Sequence, residues 1–171
     1  MTEPNWHSLA AEMGAVLRAG RHVLTTVESC TGGGVAAAVT AVAGSSEWFD
    51  RGFVTYSNDA KCEMVGVSTD TILRFGAVSE QTALAMATGG LRHSNATISI
   101  ALTGIAGPAG GSHDKPVGTV CFAWVLRAGP SRCQTCYFHG DRTAIRGESI
   151  RHALAGVRDL ASRGCESSDR N

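Results

Sequence analysis

The chain has no excess of charge of either sign. It carries 15 basic and 15 acidic residues among 171, so its formal net charge at pH 7 is zero. A neutral chain has no overall field that would attract nucleic acid or an anionic membrane surface. No apolar run is long enough to span a bilayer, and residues 1–6 lack the basic-then-apolar pattern of a signal peptide. We therefore expect a cytoplasmic protein with neither nucleic acid nor a membrane as its partner.

Disulfide and metal frameworks also find little support in the sequence. Six cysteines are scattered among apolar neighbours, which is typical of reduced, buried thiols. Cys133 and Cys136 form the one Cys-x-x-Cys motif, but residues three apart on a strand face opposite sides of the sheet. No second cysteine pair or histidine cluster completes a metal site. We expect structural thiols and no bound metal.

Apolar patterning predicts alternating helices and strands. An amphipathic helix opens the chain and ends at Gly20, and a last helix begins near Arg142. Apolar or alternating runs between them predict five strands, at 22–27, 49–56, 96–103, 118–126 and about 132–138. This order predicts a three-layer α/β/α sandwich with a mixed, mostly parallel sheet of about five strands. Residues 1–163 form a single domain, and we expect 164–171 to be a disordered tail.

The turn at residues 28–34, Glu-Ser-Cys-Thr-Gly-Gly-Gly, joins the first predicted strand to a helix of small residues. Glycines allow a sharp turn, and the first N–H groups of a helix lack intrahelical partners. Ser29 is therefore the candidate nucleophile, with the backbone N–H groups of Cys30, Thr31 and Gly32 as an oxyanion hole. Cys30 is the rival nucleophile. Phosphate binding alone, or close packing of helix on strand, remains the alternative reading of this turn.

Lysine is scarce, because the basic residues comprise 13 arginines and only Lys61 and Lys115. A retained lysine suits a task that arginine cannot perform, and losing a proton to act as a base is one such task. Lys61 follows the second predicted strand, so in a parallel sheet it would emerge at the same edge as Ser29. Burial would lower its pKa and allow it to deprotonate Ser29. A solvated helix residue is the alternative.

A third group of candidates could bind a substrate. Thr103 and Gly104 end a predicted strand, and the glycine-rich loop that follows, including Gly107, offers N–H groups to a phosphate or a polar ring. Arg142 could clamp a phosphate at the start of the last helix, or could be an ordinary exposed arginine. In the same loop His113 is interpreted as a surface residue, and the role of Lys115 is left open.

Seven segments in unbroken order resemble the CinA C-terminal domain family over about residues 6–162. They are ESCTGG at 28–33, GSSEWF at 44–49, RGFVTYSNDAK at 51–61, GAVSE at 76–80, TGIAGPAGG at 103–111, KPVGTV at 115–120 and GDR at 140–142. The resemblance implies hydrolysis of nicotinamide mononucleotide to nicotinate mononucleotide and ammonia, without metal or organic cofactor, by a homodimer. His139, where a small residue is common, and Thr103, where serine also occurs, are mild departures.

The resemblance also implies roles for particular residues. Ser29 would be the nucleophile and Lys61 its base, with Ser46 and Tyr56 as nearby polar helpers, while Thr103 and Arg142 would bind or orient the nucleotide. Two other functions stay open on the sequence. One is a nucleotide-binding regulatory module without turnover, and the other is an amidase for a different small amide.

Overall fold

The computed structural model describes the backbone of residues 6–166 and the side chains through residue 163. Each predicted strand is present, with its ends displaced by at most two residues. The strands are β1 Leu24–Glu28, β2 Phe49–Val54, β3 Ile98–Gly104, β4 Thr119–Leu126 and β5 Ser131–Tyr137. The helices are α1 Trp6–Ala19, α2 Gly34–Thr40, α3 Asn58–Val65, α4 Thr69–Phe75, α5 Glu80–Arg92 and α6 Arg142–Glu166, with a 3₁₀ turn at Ser45–Glu47.

The five strands form one mixed sheet in the order β2-β1-β3-β4-β5. β1 pairs in parallel with both β2 and β3, and the β3–β4 and β4–β5 pairs are antiparallel. Four strands therefore run in one direction and only β4 is reversed, which confirms the predicted mostly parallel sheet. Because β1, β2 and β3 are parallel, the segments that follow them leave the sheet at one edge, as expected of open α/β sheets.

Helices cover both faces of the sheet, which confirms the three-layer sandwich. α1, α2 and α6 pack on one face and α3, α4 and α5 on the other. Large side chains of β3 and β4 point to the first face, and small ones such as Ala101 and Ala123 point to the second. Gly89 lets α5 pack closely against the C-terminal end of α3, since a Cβ on Gly89 would lie 1.8 Å from the carbonyl oxygen of Val65.

The cysteines of β5 behave as predicted. Cys133 packs against the core cluster under α5, whereas Cys136 packs against the cluster under α6, so the two thiols lie on opposite faces. Both are free, as are Cys30, Cys62 and Cys121. Among the described residues, no three His, Cys, Asp or Glu side chains gather where they could hold a metal ion.

The last helix is longer than predicted, because α6 continues through Glu166 into the first three residues of the expected tail. The rest of that tail, 167–171, lies outside the described residues, as do 1–5. Within the described part, none of the helices combines the length and the apolar character needed to cross a bilayer.

Two glycines of α6 provide a test of the packing between this helix and the sheet. A Cβ on Gly156 would lie 2.2 Å from the Trp124 ring, whose indole N–H donates to the Ala153 carbonyl at 3.0 Å. A Cβ on Gly147 would meet nothing closer than 3.4 Å. We expect Gly156→Ala to lower the free energy of unfolding by about 1–3 kcal/mol, because overpacking must displace Trp124.

The matched control, Gly147→Ala, should leave stability unchanged or raise it by up to about 1 kcal/mol, because alanine is the better helix former. Urea unfolding monitored by circular dichroism measures both variants. Equal stability of the two would contradict the close helix–sheet contact.

Candidate active site

Ser29 and Lys61 meet at the edge where β1 and β2 end. Ser29 follows the last residue of β1, and its N–H donates to the Leu102 carbonyl of β3 at 3.1 Å, so the strand ladder holds its backbone. After β2 the chain turns into α3, whose N-cap is Ser57, with its hydroxyl accepting from the Ala60 N–H at 3.0 Å. Lys61 lies in the first turns of this helix, and its Nζ is 3.2 Å from the Ser29 Oγ.

Lys61 is almost fully buried, with 1% of its surface exposed. Besides Ser29 Oγ, three backbone carbonyls lie around its Nζ: Thr55 at 3.0 Å, Tyr56 at 3.2 Å and Ser57 at 3.4 Å. A neutral amine has two N–H donors and one lone pair. Two donors can serve the carbonyls while the lone pair accepts the serine proton, which is the arrangement that a general base requires.

The protonation of Lys61 depends on two opposing effects. Burial lowers its pKa from the ordinary lysine value of 10.5, because the charged ammonium loses its water. The carbonyls favour the ammonium, but none of the described carboxylates forms an ion pair with Lys61. Desolvation is the larger effect, and the pKa is lowered. The base-competent neutral form is therefore more populated near neutral pH than in an exposed lysine.

The structure disfavours Cys30 as the nucleophile. Its side chain belongs to the hydrophobic core cluster, and burial raises the pKa of the thiol to about 12. A thiol with this pKa stays protonated at working pH, and the thiolate is the reactive form. Cys30 still borders the cavity beside Ser29, so its backbone N–H remains a candidate oxyanion donor.

The buried carboxylate of Glu28 occupies the N-terminus of α2. This carboxylate accepts from the Thr31 hydroxyl at 2.6 Å and from the N–H groups of Gly33, Val35 and Ala36 at 3.1, 2.9 and 2.8 Å. The sequence suggested that the first N–H groups of α2 are free, but in the structure Glu28 binds them.

A hydrogen bond within the turn reduces the predicted oxyanion donors from three to two. The N–H of Gly32 donates to the Ser29 carbonyl at 3.0 Å, so it is already used within the turn. Among the described residues, the N–H groups of Cys30 and Thr31 donate to no backbone carbonyl. Only these two remain as predicted oxyanion donors.

A cavity of about 250 Å³ opens in front of Ser29. Its walls combine the catalytic candidates, three strand-end segments and the start of α6, and the lining residues are Ser29, Cys30, Tyr56, Asn58, Lys61, Ala77, Val78, Thr103, Gly104, Ala106 and Arg142. A larger cavity of about 380 Å³ lies between α1, α2 and α6, and no hydrogen bond seen among the described residues joins its hydroxyl, Thr143, to its imidazole, His7. The smaller cavity is therefore the candidate active site.

Arg142 stands at the mouth of the candidate site as the first residue of α6. It donates to the Gly107 carbonyl at 2.9 Å and to the Tyr56 hydroxyl at 3.2 Å. Gly107 thus acts through its carbonyl on Arg142 and does not itself line the cavity. Arg142 is a permanent cation in the lining, which contains no carboxylate, so the mouth of the cavity favours an anionic group.

The structure brings Thr103 and Gly104 to the cavity wall as predicted. The Thr103 hydroxyl is buried and donates to the Ala77 carbonyl at 2.9 Å, leaving its oxygen lone pairs as acceptors. Gly104 lies close to β4, since a Cβ there would be 2.8 Å from the Thr119 carbonyl oxygen. His113 is fully exposed beside Asp114, which confirms the surface interpretation.

The structure does not bring Ser46 to the site. It lies exposed in the 3₁₀ turn before β2, and the first residue of β2, Phe49, pairs with Leu24 at the start of β1. Ser29 follows the other end of β1, so within this chain Ser46 and Ser29 lie at opposite edges of the sheet. Five strand residues at about 3.3 Å each separate those edges by roughly 16 Å.

Sequence reasoning missed two contributors to the site. Glu28 received no role, although it directly precedes Ser29 in the glycine-rich turn. Asn58 also received no role in the site, yet it lines the cavity three residues before Lys61. Residues three apart share one face of a helix, so that spacing could have identified Asn58.

Comparison with known proteins finds relatives that match most of the chain. The family model described as CinA C-terminal domain matches residues 6–161. The chain is 47% identical to nicotinamide-nucleotide amidohydrolase PncC of Escherichia coli strain K12, over 90% of this chain and 93% of the relative. It is 51% identical to the protein of the same name from Enterobacter agglomerans, over 85% and 89%.

Solved structures share the fold. The competence/damage inducible protein CihA from Agrobacterium tumefaciens superposes with a TM-score of 0.89 at 46% identity, covering 94% of this chain and 98% of that one.

Proposed function

This chain belongs to the CinA C-terminal domain family, and we propose that it hydrolyses the carboxamide of nicotinamide mononucleotide, releasing nicotinate mononucleotide and ammonia. The observation that carries the proposal is the 3.2 Å contact between Lys61 Nζ and Ser29 Oγ at a cavity whose lining includes Arg142 and no carboxylate. A module that only binds nucleotides needs neither a nucleophile nor a base. The names of the PncC relatives support the substrate.

In the proposed reaction, neutral Lys61 accepts the Ser29 hydroxyl proton as Oγ attacks the carboxamide carbon. The oxyanion is held by the N–H groups of Cys30 and Thr31. Lys61 then gives its proton to the amide nitrogen, the C–N bond breaks, and ammonia leaves an acyl ester on Ser29. A water molecule, deprotonated by Lys61, attacks this ester. The bond between the acyl carbon and Ser29 Oγ then breaks as Lys61 returns the proton to Oγ, and the released acid ionises to nicotinate by losing a proton to solvent.

Arg142 supplies the proposed contact to the phosphate. Its guanidinium is held at the mouth by Gly107 and Tyr56, and it has N–H donors beyond those two contacts. Binding energy from the remote phosphate can then position the carboxamide against Ser29. The positive charge of the pyridinium ring draws electrons from the carbonyl and favours attack.

The nucleophile is tested by Ser29→Ala, with Cys30→Ala as its neighbouring control. We expect Ser29→Ala to lower kcat by roughly 10³-fold or more, because no other group can form the acyl intermediate. Cys30→Ala should keep most of the activity, since its thiol stays protonated. The measurement is ammonia released from nicotinamide mononucleotide.

The alternative nucleophile and the two alternative functions each predict a different result in this assay. A thiol mechanism would give the reverse order for the two variants. Nucleotide binding without ammonia release by the wild type would identify a binding module, and turnover of another amide alone would identify a different amidase.

The base is tested by the pH dependence of kcat/KM. Because neutral Lys61 is the active form, the rate should rise with pH as one proton is lost, and it should level off at a pKa below 10.5. Lys61→Arg should be inactive throughout, because a guanidinium stays protonated at working pH. Circular dichroism checks that the variant is folded. A folded, active Lys61→Arg protein would disprove the serine–lysine mechanism.

The phosphate contact is tested with Arg142→Met. We expect kcat/KM for nicotinamide mononucleotide to fall by about 10- to 100-fold, the loss typical of a charge-assisted hydrogen bond, while the slow hydrolysis of free nicotinamide is unchanged. Arg151→Met is the matched control, since Arg151 lies on α6 and contacts Glu148 at 2.6 Å. An equal loss on both substrates would argue against a phosphate subsite.

A further inference from the structure

The second lysine of the chain contacts the wall of the candidate active site. Lys115 lies in the loop between β3 and β4, and its Nζ donates to the Val78 carbonyl at 2.7 Å and to the Phe75 carbonyl at 3.2 Å. Phe75 ends α4, where carbonyls lack intrahelical partners and a cation is favourable. Lys115 therefore joins this loop to the connection between α4 and α5, residues 75–78, which we term the 75–78 segment.

Each of the four successive carbonyls in the 75–78 segment accepts a side-chain hydrogen bond. Lys115 binds the first and the last. The Gly76 carbonyl accepts from Ser79 at 3.0 Å and Thr82 at 2.7 Å, and the Ala77 carbonyl accepts from Thr103 at 2.9 Å. Ala77 and Val78 line the cavity, so these hydrogen bonds fix the position of one of its walls.

The two groups that bind this wall from outside α5 come from opposite ends of one connection. Thr103 is the second-to-last residue of β3, whereas Lys115 lies shortly before β4. A local turn presents Lys115, since its N–H donates to the Ser112 hydroxyl at 3.1 Å and its carbonyl accepts from the Ser112 N–H at 2.9 Å. The same loop holds Arg142 through the Gly107 carbonyl. One loop thus supports two sides of the cavity.

The geometry explains why arginine would not replace this lysine. The two carbonyls converge on a single nitrogen, which suits a compact ammonium with tetrahedral donors. Space around that nitrogen is limited, because a Cβ built on Gly76, whose φ is +83°, would lie 3.3 Å from it. A guanidinium is planar and larger than an ammonium, so placing one of its nitrogens at this point would require the Gly76 backbone to move.

We propose that Lys115 is a positioning residue that holds the Ala77–Val78 wall against the bound substrate. Ser29 and Lys61 are fixed by other elements, namely the ladder of β1 and the turn from β2 into α3. Loss of Lys115 should therefore weaken substrate binding and leave the chemical step largely intact. The kinetic part of this inference rests on the proposed function.

The experiment compares Lys115→Met and Lys115→Arg with a control, Arg74→Met, in the full chain. Arg74 lies in the last turn of α4 with its guanidinium over the Phe75 ring, 5.2 Å from the ring centroid, and it makes no hydrogen bond to the 75–78 segment. The first readout is amide hydrogen exchange of peptides that cover residues 76–80, measured by mass spectrometry. The second is kcat and KM for nicotinamide mononucleotide.

We expect both Lys115 variants to exchange faster at residues 76–80 and to raise KM by about tenfold, with kcat changed far less, because a charge-assisted hydrogen bond is lost. The Arg74 variant should match the wild type in both readouts. Unchanged exchange in Lys115→Met would overturn the proposal, and so would faster exchange with an unchanged KM.

The two proposals fail in different ways. If the wild type releases no ammonia, the proposed function fails, and hydrogen exchange still tests whether Lys115 holds the wall. If Lys115→Met proves unstable, Lys115→Arg retains the charge and tests the same contact. Wild-type exchange and KM in this arginine variant would also overturn the proposal.

Discussion

A buried lysine without a carboxylate partner is the constraint on which the candidate active site depends. An isolated ammonium in a protein interior costs several kcal/mol, so such a group tends to lose its proton. Here three carbonyls supply acceptors, and they converge on Lys61 because the chain reverses sharply between the end of β2 and α3. Ser29 reaches the same point only because β1 is parallel to β2. Sheet topology and proton chemistry are thus coupled at this edge.

The same lysine is unfavourable for stability. In the unfolded chain it titrates near 10.5, and in the folded chain its pKa is lower, so between these two values the unfolded state binds more protons. Its contribution to the free energy of unfolding therefore rises with pH across that window and is lowest below the folded pKa. Near neutral pH, burial of Lys61 therefore lowers the free energy of unfolding, and in our proposal it also provides the general base. This is the usual trade between stability and activity.

The strands, the first and last helices and the nucleophile–base contact could be predicted because they depend on local pattern and on one rule of parallel sheets. The expectation that Ser46 lies near Ser29 does not hold within this chain, for a reason present in the sequence. Ser46 precedes β2 and Ser29 follows the parallel strand β1, so the two residues lie at opposite edges of the sheet. The hydrogen bonds of Glu28 could not be predicted, because they require the positive φ of Gly32 and Gly33, +59° and +94°. Nor could the contact of Lys115, which spans 37 residues to Val78 and depends on the path of a long loop.

The structure also refines the argument from lysine scarcity. Arginine in this chain can also bring one nitrogen to two carbonyls: Nη2 of Arg127 donates to the Leu91 and Ser94 carbonyls at 2.5 and 3.2 Å, while its Nε donates to the Ala96 carbonyl at 2.9 Å. Both lysines bind carbonyls that converge on one nitrogen. Convergent carbonyls therefore do not by themselves require lysine, and Lys115, whose ammonium contacts only carbonyls, shows that a retained lysine does not by itself mark a base. Two further features distinguish Lys61. Its near-complete burial lowers its pKa and so favours the neutral amine, and the Ser29 hydroxyl at 3.2 Å offers a proton that the amine lone pair can accept.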